Sequence, residues 1–431
     1  MNILIIGSGG REHALAWKVA QSPEAQNIYV APGNAGTELE SAISNVDIQP
    51  DDINALVKFA SENSIGLTIV GPEVPLVAGI VDQFQAADLR IFGPSAKAAQ
   101  LEGSKSFCKD FLARHNIPTA AYSVFTDLDK ACEYINECTA PMVVKADGLA
   151  AGKGVVIAET KEQAIAAATD MLAENRFGDA GSKVVVEEFL EGTELSFICM
   201  VDGKNCLPMA TSQDHKARDD GDTGPNTGGM GAYSPAVAET PELNATVMQS
   251  VIEPTIKGMA DDGNTFTGFL YAGLMISPQG DARVLEYNVR FGDPETQPIM
   301  MRLQSDLVSL CNAAIDGKLD RVTAEWSEDT AVGVVLAAGG YPADYAKGDA
   351  ISGLNDVASV DEQSNYTKVF HAGTQTDNGS VVTSGGRVLC VTATGTTVKD
   401  AQLRAYAAVN KISFNKMYCC LLYTSPSPRD S

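Results

Sequence analysis

Over the first hundred residues, short apolar runs alternate with helical patterns, and each run closes on a glycine or proline turn. Asn2–Gly7 reads as a strand, followed by a helix through about Gln21. Further strand-like runs fall at 27–31, 67–70 and 90–92, with helical patterns around 51–62 and 76–87 between them. Strands alternating with helices predict a parallel, doubly wound sheet. Ligands bind outside the carboxyl ends of such strands. Three of those ends are polar turns, Gly7–His13, Pro32–Gly36 and Gly71–Pro75.

Near residue 100 the pattern changes. A helix is expected from about Ser104 to His115, stopped by Pro118. Beyond it come strand–loop–strand runs at 141–145 and 154–159, then strands at 183–190 and 194–201. Residues 214–235 read as a long loop rich in Gly, Asp, Thr and Asn, and such loops inside a compact domain are usually functional or disordered. From about Ala331 short strands at 333–337 and 387–394 indicate a small α+β domain. The expected fold class is therefore multidomain, α/β with α+β.

With 431 residues the chain exceeds the usual size of one domain. No apolar run reaches the length that crosses a bilayer, and the N-terminus enters a strand directly, so a cytoplasmic protein is expected. Lys and Arg number 31 against 55 Asp and Glu, a formal net charge of −24. That field opposes nucleic acid and anionic membranes, and neither is expected as a partner. Small anions need only local positive pockets, and the basic residues do fall inside glycine-rich motifs. Nine cysteines without a CxxC pair or a Cys/His cluster indicate neither a disulfide framework nor a zinc site.

The stretch 284–297 carries the most chemistry. Val284, Leu285, Tyr287 and Val289 read as a strand, so Glu286, Asn288 and Arg290 share one face. A carboxylate and an amide oxygen beside a fixed cation suit Mg²⁺ that already carries phosphate, and the guanidinium can grip a second anion. The polar face of an edge strand is the plain alternative. Lys145–Gly154 resembles a Walker A loop only superficially: Gly148 and Gly152 enclose three residues, and Gly154 rather than Ser or Thr follows Lys153. With strand on both flanks, it reads as a glycine hairpin over a triphosphate, or else as an ordinary hairpin. Gly7–His13 is a strand–helix turn suited to an anion. Glu12 stands where a dinucleotide fingerprint needs its third glycine, and no carboxylate ends the second strand, which disfavours NAD. Glu187–Glu194 leaves an apolar run and offers backbone to an adenine edge, with a carboxylate beyond for ribose. Gln213–Lys216 and Gly224–Gly231 suit a closing lid and equally a solvated loop.

Together Gly7–His13, Pro32–Gly36, Gly71–Pro75, Leu101–Lys105, Lys145–Gly154, Glu187–Leu190, Thr211–Lys216, Gly224–Pro235 and Asn288–Gln297 resemble, in order, the phosphoribosylamine–glycine ligase (glycinamide ribonucleotide synthetase) family of ATP-grasp enzymes. The resemblance implies an N-terminal phosphoribosylamine domain at 1–100, an ATP-grasp domain at 101–326 with a lid at about 120–192, and a C-terminal domain at 327–417. Residues 418–431, with adjacent cysteines and two Ser-Pro steps, depart from the family pattern and read as a non-native tail. ATP would be held by Lys105, Lys145, Gly152, Lys153 and Gly154, with Glu187, Glu188 and Leu190 at adenine and Glu194 beyond them. Glu286 and Asn288 would bind Mg²⁺ or Mn²⁺. Arg290 would face the acyl phosphate, Asp214 and Asp293 the glycine ammonium, and Gly9, Asn34, Glu73 and Lys216 the substrates. A monomer acting on glycine and phosphoribosylamine is implied. Another ATP-grasp carboxylase or purine-pathway ligase, and a non-catalytic nucleotide-binding regulator, are the alternatives.

Overall fold

The computed structural model describes residues 1–149, 154–174, 178–361 and 367–422. Strands β1 (Asn2–Gly7), β2 (Asn27–Pro32), β3 (Ile43–Asn45), β4 (Ile65–Val70) and β5 (Ile91–Phe92) form one sheet in the order β3-β2-β1-β4-β5. Every pairing in it is parallel. Ile3, Leu4, Ile5 and Ile6 are all fully buried, as expected for a central strand covered on both faces. The strand order reverses between β1 and β4, which places a crevice at their carboxyl ends. Helix α1 (Gly10–Val19) leaves β1 at that crevice. The single helix expected at 76–87 is two, Glu73–Val77 and Ile80–Ala86. Gly79 divides them at φ +88°, a left-handed conformation that glycine adopts without a Cβ clash.

Strands β6 (Tyr122–Phe125), β7 (Met142–Ala146), β8 (Val155–Ala158) and β9 (Val184–Glu188) make an antiparallel sheet in the order β6-β9-β7-β8. Helices Leu128–Glu137 and Lys161–Leu172 pack on it around Ala131, Ile135, Val144 and Met171, a core of its own. Next in the chain come β10 (Thr193–Asp202), β11 (Cys206–Pro208), β12 (Gln213–Asp214), β13 (Ala217–Asp219), β14 (Thr223–Asn226) and β15 (Gly231–Ser234). The segment read as a loop at 214–235 thus contains short strands. Its polar composition fits because β13 and β14 pair only with each other and bury little.

Strands β16 (Thr267–Ile276) and β17 (Ala282–Asn288) complete the sheet β11-β10-β16-β17. The last part of the chain adds β18 (Thr330–Ala337), β19 (Thr367–His371), β20 (Thr374–Asp377), β21 (Ser380–Thr383) and β22 (Arg387–Gly395). The sheet they build runs β12-β15-β18-β22-β19, so two strands from the 213–234 segment extend the C-terminal sheet. No helix among the described residues is long and apolar enough to cross a membrane.

Residues 418–422, grouped with the tail in the sequence reading, pack onto this C-terminal unit. Tyr418 bridges Ala337, and the Leu422 amide donates to the Tyr406 hydroxyl at 2.7 Å. Cys420 is 1 % exposed and Leu422 4 %, alternating inward with the period of an extended chain. A chain ending at Met417 loses both, on the order of 3 kcal/mol for the buried side chains. Compared with a chain ending at Leu422, it should melt several degrees lower by circular dichroism; equal melting temperatures would show that the segment adds nothing.

Candidate active site

A cavity of about 350 Å³ opens where the β1–β5 sheet, the β6–β9 lobe, strand β17 and strand β22 meet. Among the described residues seven cations line it: Arg11, Lys105, Lys109, Lys145, Lys216, Arg290 and Arg387. Seven carboxyl groups accompany them: Glu73, Glu102, Glu187, Asp214, Glu286, Asp293 and Glu295. In a chain of net charge −24 this is a local region of balanced charge, able to take a polyanion.

Strand β17 supplies the floor. Against β16 its register slips between Gly273, which faces Glu286, and Leu274, which faces Val284. Leu285 is the extra residue of this β-bulge. The bulge shifts the phase of burial: Ala282 and Val284 point into the core before it, Tyr287 and Val289 after it. Leu285, Glu286, Asn288 and Arg290 all line the cavity as a result. Burial alone would raise the Glu286 carboxyl, but Lys216, Lys145, Lys105 and Arg290 hold it below its ordinary value. An ionised carboxylate beside an amide oxygen is a donor pair suited to a hard divalent cation.

The cations are held by fixed partners. Lys145 on β7 pairs with Glu187 on β9 at 3.0 Å and donates to the Leu285 carbonyl at 3.2 Å. Lys109 meets the same Glu187 oxygen at 2.9 Å and the Thr119 hydroxyl at 2.7 Å. Glu187 Oε1 is buried without a hydrogen-bond partner. Lys105 opens the helix Lys105–Arg114, which Ser104 caps, and its ammonium donates to the Gly148 carbonyl at 3.1 Å. Burial lowers the Lys105 and Lys109 ammonium groups below their usual range. Arg290 reaches Glu73 at 3.2 Å and Glu102 at 2.8 Å. Glu102 also accepts from the Val289 amide at 2.7 Å. Burial, opposed by Arg290 and aided by Glu73, pushes its carboxyl up to about 7.

Behind Glu286, Lys216 lies 3.7 Å from Glu286 and 3.4 Å from Glu194. Burial would lower its ammonium, but Glu194, Asp214 and Glu286 raise it well above its usual value. Asp214 is pushed well above the carboxylate range by burial, then by Glu295, Glu194 and Glu286, against the pull of Lys216. Asp293 is engaged on both oxygens, by Gln297 at 2.9 Å and Arg387 at 3.2 Å.

Of the residues singled out from sequence, Lys105, Lys145, Gly154, Glu187, Asp214, Lys216, Glu286, Asn288, Arg290, Asp293 and Glu73 line this one cavity. Gly152 and Lys153 lie outside the described residues. Glu194 borders it through Lys216. Glu188 faces away, bonded to the Ala121 amide at 3.2 Å, and Leu190 is buried with Ala120 and Met275. The Asn34 side chain is taken up by fold contacts: it accepts from Gly36 and Thr37 and donates to the Ser8 and His371 carbonyls. At the Gly7–His13 turn, Glu12 fills the space. Its carboxylate accepts from the Gly9 amide at 2.6 Å and Arg11 at 2.5 Å. A Cβ on Gly7 or Gly71 would overlap its side chain. Gly9 itself lies close to the cavity, its Cβ position 3.5 Å from Asp293 Oδ2. Sequence reasoning passed over Lys109, Glu102, Glu295, Arg11 and Arg387. Arg11, Glu102 and Glu295 sat inside motifs already picked out, and Lys109 four residues after Lys105 on the same helix face, whereas Arg387 left no local signal.

The chain matches the three models of the phosphoribosylglycinamide synthetase family: the N domain at residues 1–102, the ATP-grasp (A) domain at 103–296 and the C domain at 331–420. It is 65 % identical over 419 residues to the phosphoribosylamine–glycine ligase of Vibrio cholerae, covering 97 % of this chain and 96 % of that one. A crystal structure of the phosphoribosylamine–glycine ligase of Thermotoga maritima matches with a TM-score of 0.83 and 33 % identity, over 98 % of this chain and 99 % of that one. The biotin carboxylase domain of a Hydrogenobacter thermophilus 2-oxoglutarate carboxylase, solved with MgADP and bicarbonate, matches at TM-score 0.72 and 15 % identity, over 97 % and 91 % of the two chains. That last likeness concerns the fold alone.

The raised Glu102 carboxyl sets a sign for stability against pH. The folded chain keeps this proton to about 7, whereas the unfolded chain releases it near the ordinary carboxyl value of 4.5. Between those values the folded state binds more protons, so this group's stabilisation is lost as pH rises. Glu102→Gln should therefore melt at a temperature that falls less between pH 5 and 8 than that of the parent chain. Parallel melting profiles would refute the assignment.

Proposed function

The chain belongs to the phosphoribosylglycinamide synthetase family, and on that premise we propose that its cavity joins glycine to phosphoribosylamine with cleavage of ATP to ADP and phosphate. The observation that carries the reading is the one-face array of Glu286, Asn288 and Arg290 opposite Lys105 and Lys145 at the junction of the family's three domains. A glycine carboxylate oxygen attacks the γ-phosphorus, the bond to the β-phosphate oxygen breaks, and ADP leaves with glycyl phosphate formed. The phosphoribosylamine nitrogen then attacks the acyl carbon, the bond from that carbon to the phosphate oxygen breaks, and the nitrogen gives up a proton.

Each step moves negative charge through a crowded site, so positioned cations lower its barrier. Lys105 and Lys145 take the phosphate oxygens, and the unpartnered Glu187 oxygen faces the adenine end with Lys109 and Lys145 holding its twin. Arg290, fixed by Glu73 and Glu102, presents its charge to the acyl phosphate. Asp214, in the same cavity beside Lys216, receives the glycine ammonium. Asp293 supports that site from the other side through Gln297 and Arg387. Glu286 and Asn288 would hold Mg²⁺ or Mn²⁺, which when bound neutralises charge on the transferring phosphoryl group. The crevice beside Glu73 and Gly9 takes phosphoribosylamine. The named residues all come from this one chain, which acts in this reading as a monomer in the cytoplasm.

The test is ADP release with ATP, Mg²⁺, glycine and phosphoribosylamine, omitting each in turn. Full release is expected only with both glycine and the amine; release indifferent to glycine would sink the reading. Glu286→Gln should reduce turnover roughly 10²–10³-fold with an unchanged melting temperature. Turnover that survives the change would remove Glu286 from the metal site.

A further inference from the structure

One cation of the cavity comes from the C-terminal domain. Arg387 opens β22, more than ninety residues from the nearest other lining residue, and its side chain is 22 % exposed. Its Nη1 donates to the Asp293 carbonyl at 2.6 Å and to the Gly228 carbonyl, and its Nη2 to Asp293 Oδ2 at 3.2 Å. The amide of the same Gly228 donates to the hydroxyl of Tyr341, another C-terminal residue, at 3.0 Å. Both polar groups of this glycine are thus held by the C-terminal domain. A Cβ on Gly228 would lie 3.1 Å from the Arg387 guanidinium carbon, and one on Gly229 would lie 2.4 Å from Pro294, so two consecutive glycines allow the approach. Behind this tip, Thr227 and Met230 bond back to the Lys216 and His215 carbonyls, next to Asp214. The clasp therefore fixes a loop that forms one wall of the cavity.

Building on the ligase reading above, we propose that Arg387 is a positioning residue that holds the 224–231 loop closed over the acyl phosphate, so that the amine rather than water attacks it. A guanidinium can serve two carbonyls and a carboxylate at once because its donors form a rigid fork, which an ammonium cannot match. When the loop is loose, water attacks the acyl carbon of glycyl phosphate, the bond to phosphate oxygen breaks, and glycine and phosphate leave. The sum is glycine-dependent hydrolysis of ATP without amide.

The experiment measures ADP and amide together, with ATP, Mg²⁺ and glycine, in the presence and absence of phosphoribosylamine. In the parent chain ADP should match amide closely, and omission of the amine should nearly stop ADP release. Arg387→Met should raise ADP per amide roughly tenfold, while Arg387→Lys and the gentler Gly228→Ala should each give a smaller rise. A purely architectural role would instead lower both products in parallel at a constant ratio, and that outcome in any folded variant overturns the proposal. Variants that all fail to fold would assign Arg387 to architecture and overturn it as well. A parent chain that makes no amide would bring down the ligase reading together with the clasp, whereas coupled variants beside an active parent remove the clasp alone.

Discussion

A guanidinium set as deeply as that of Arg290 cannot stand without counter-charge, because the cost of desolvating an unpaired ion far exceeds what packing returns. Its two partners come from different places: Glu73 follows β4 of the first sheet, and Glu102 sits just before the helix that carries Lys105. Satisfying one residue just beyond β17 therefore fixes the first sheet against the central one. The same logic repeats around the cavity. Lys145 and Lys109 share Glu187, which ties the lobe to the helix Lys105–Arg114 and, through Leu285, to β17. The charges that line the cavity thus also serve as the joints between domains.

The sheet topology adds a second coupling. Strands β12 and β15 belong to the chain that carries Asp214 and Lys216, yet they extend the C-terminal sheet. Backbone ladders are costly to break where they are buried, so this part of the site moves with the C-terminal unit. The β6–β9 lobe is different in kind. It has its own core and reaches the rest through a few polar contacts, among them Lys105 to Gly148 and Lys145 to Leu285.

Much of this could be read in the sequence because it is local. The alternating strands and helices of the first sheet, the strand–glycine–strand hairpin and the shared face of Glu286, Asn288 and Arg290 all follow from periods of two and 3.6 residues. What escaped is long-range. The bulge at Leu285 arises from the register against β16, which no window on β17 contains. Arg387 lies far downstream in an ordinary strand, and its role depends on a loop that the sheet brings back to it. Asn34 reads as a ligand in a polar turn, and what the sequence does not show is that its side chain caps the following helix and holds the Ser8 and His371 carbonyls. Glu12 was conspicuous as a departure from a glycine fingerprint; only the fold shows that three glycines make room for it.

That carboxylate changes what the first turn can recognise. A bare glycine turn at a helix start presents amide hydrogens and selects for phosphate oxygens. Here the Gly9 amide is already bound to Glu12, three residues along the same chain. An external anion would have to displace a tethered competitor whose effective concentration is in the range reached by short linkers, millimolar or higher. Stray inorganic phosphate is therefore a poor occupant of this turn. With that carboxylate 2 % exposed and satisfied by Gly9 and Arg11, the turn is closed by the chain's own acid rather than left open as an anion trap.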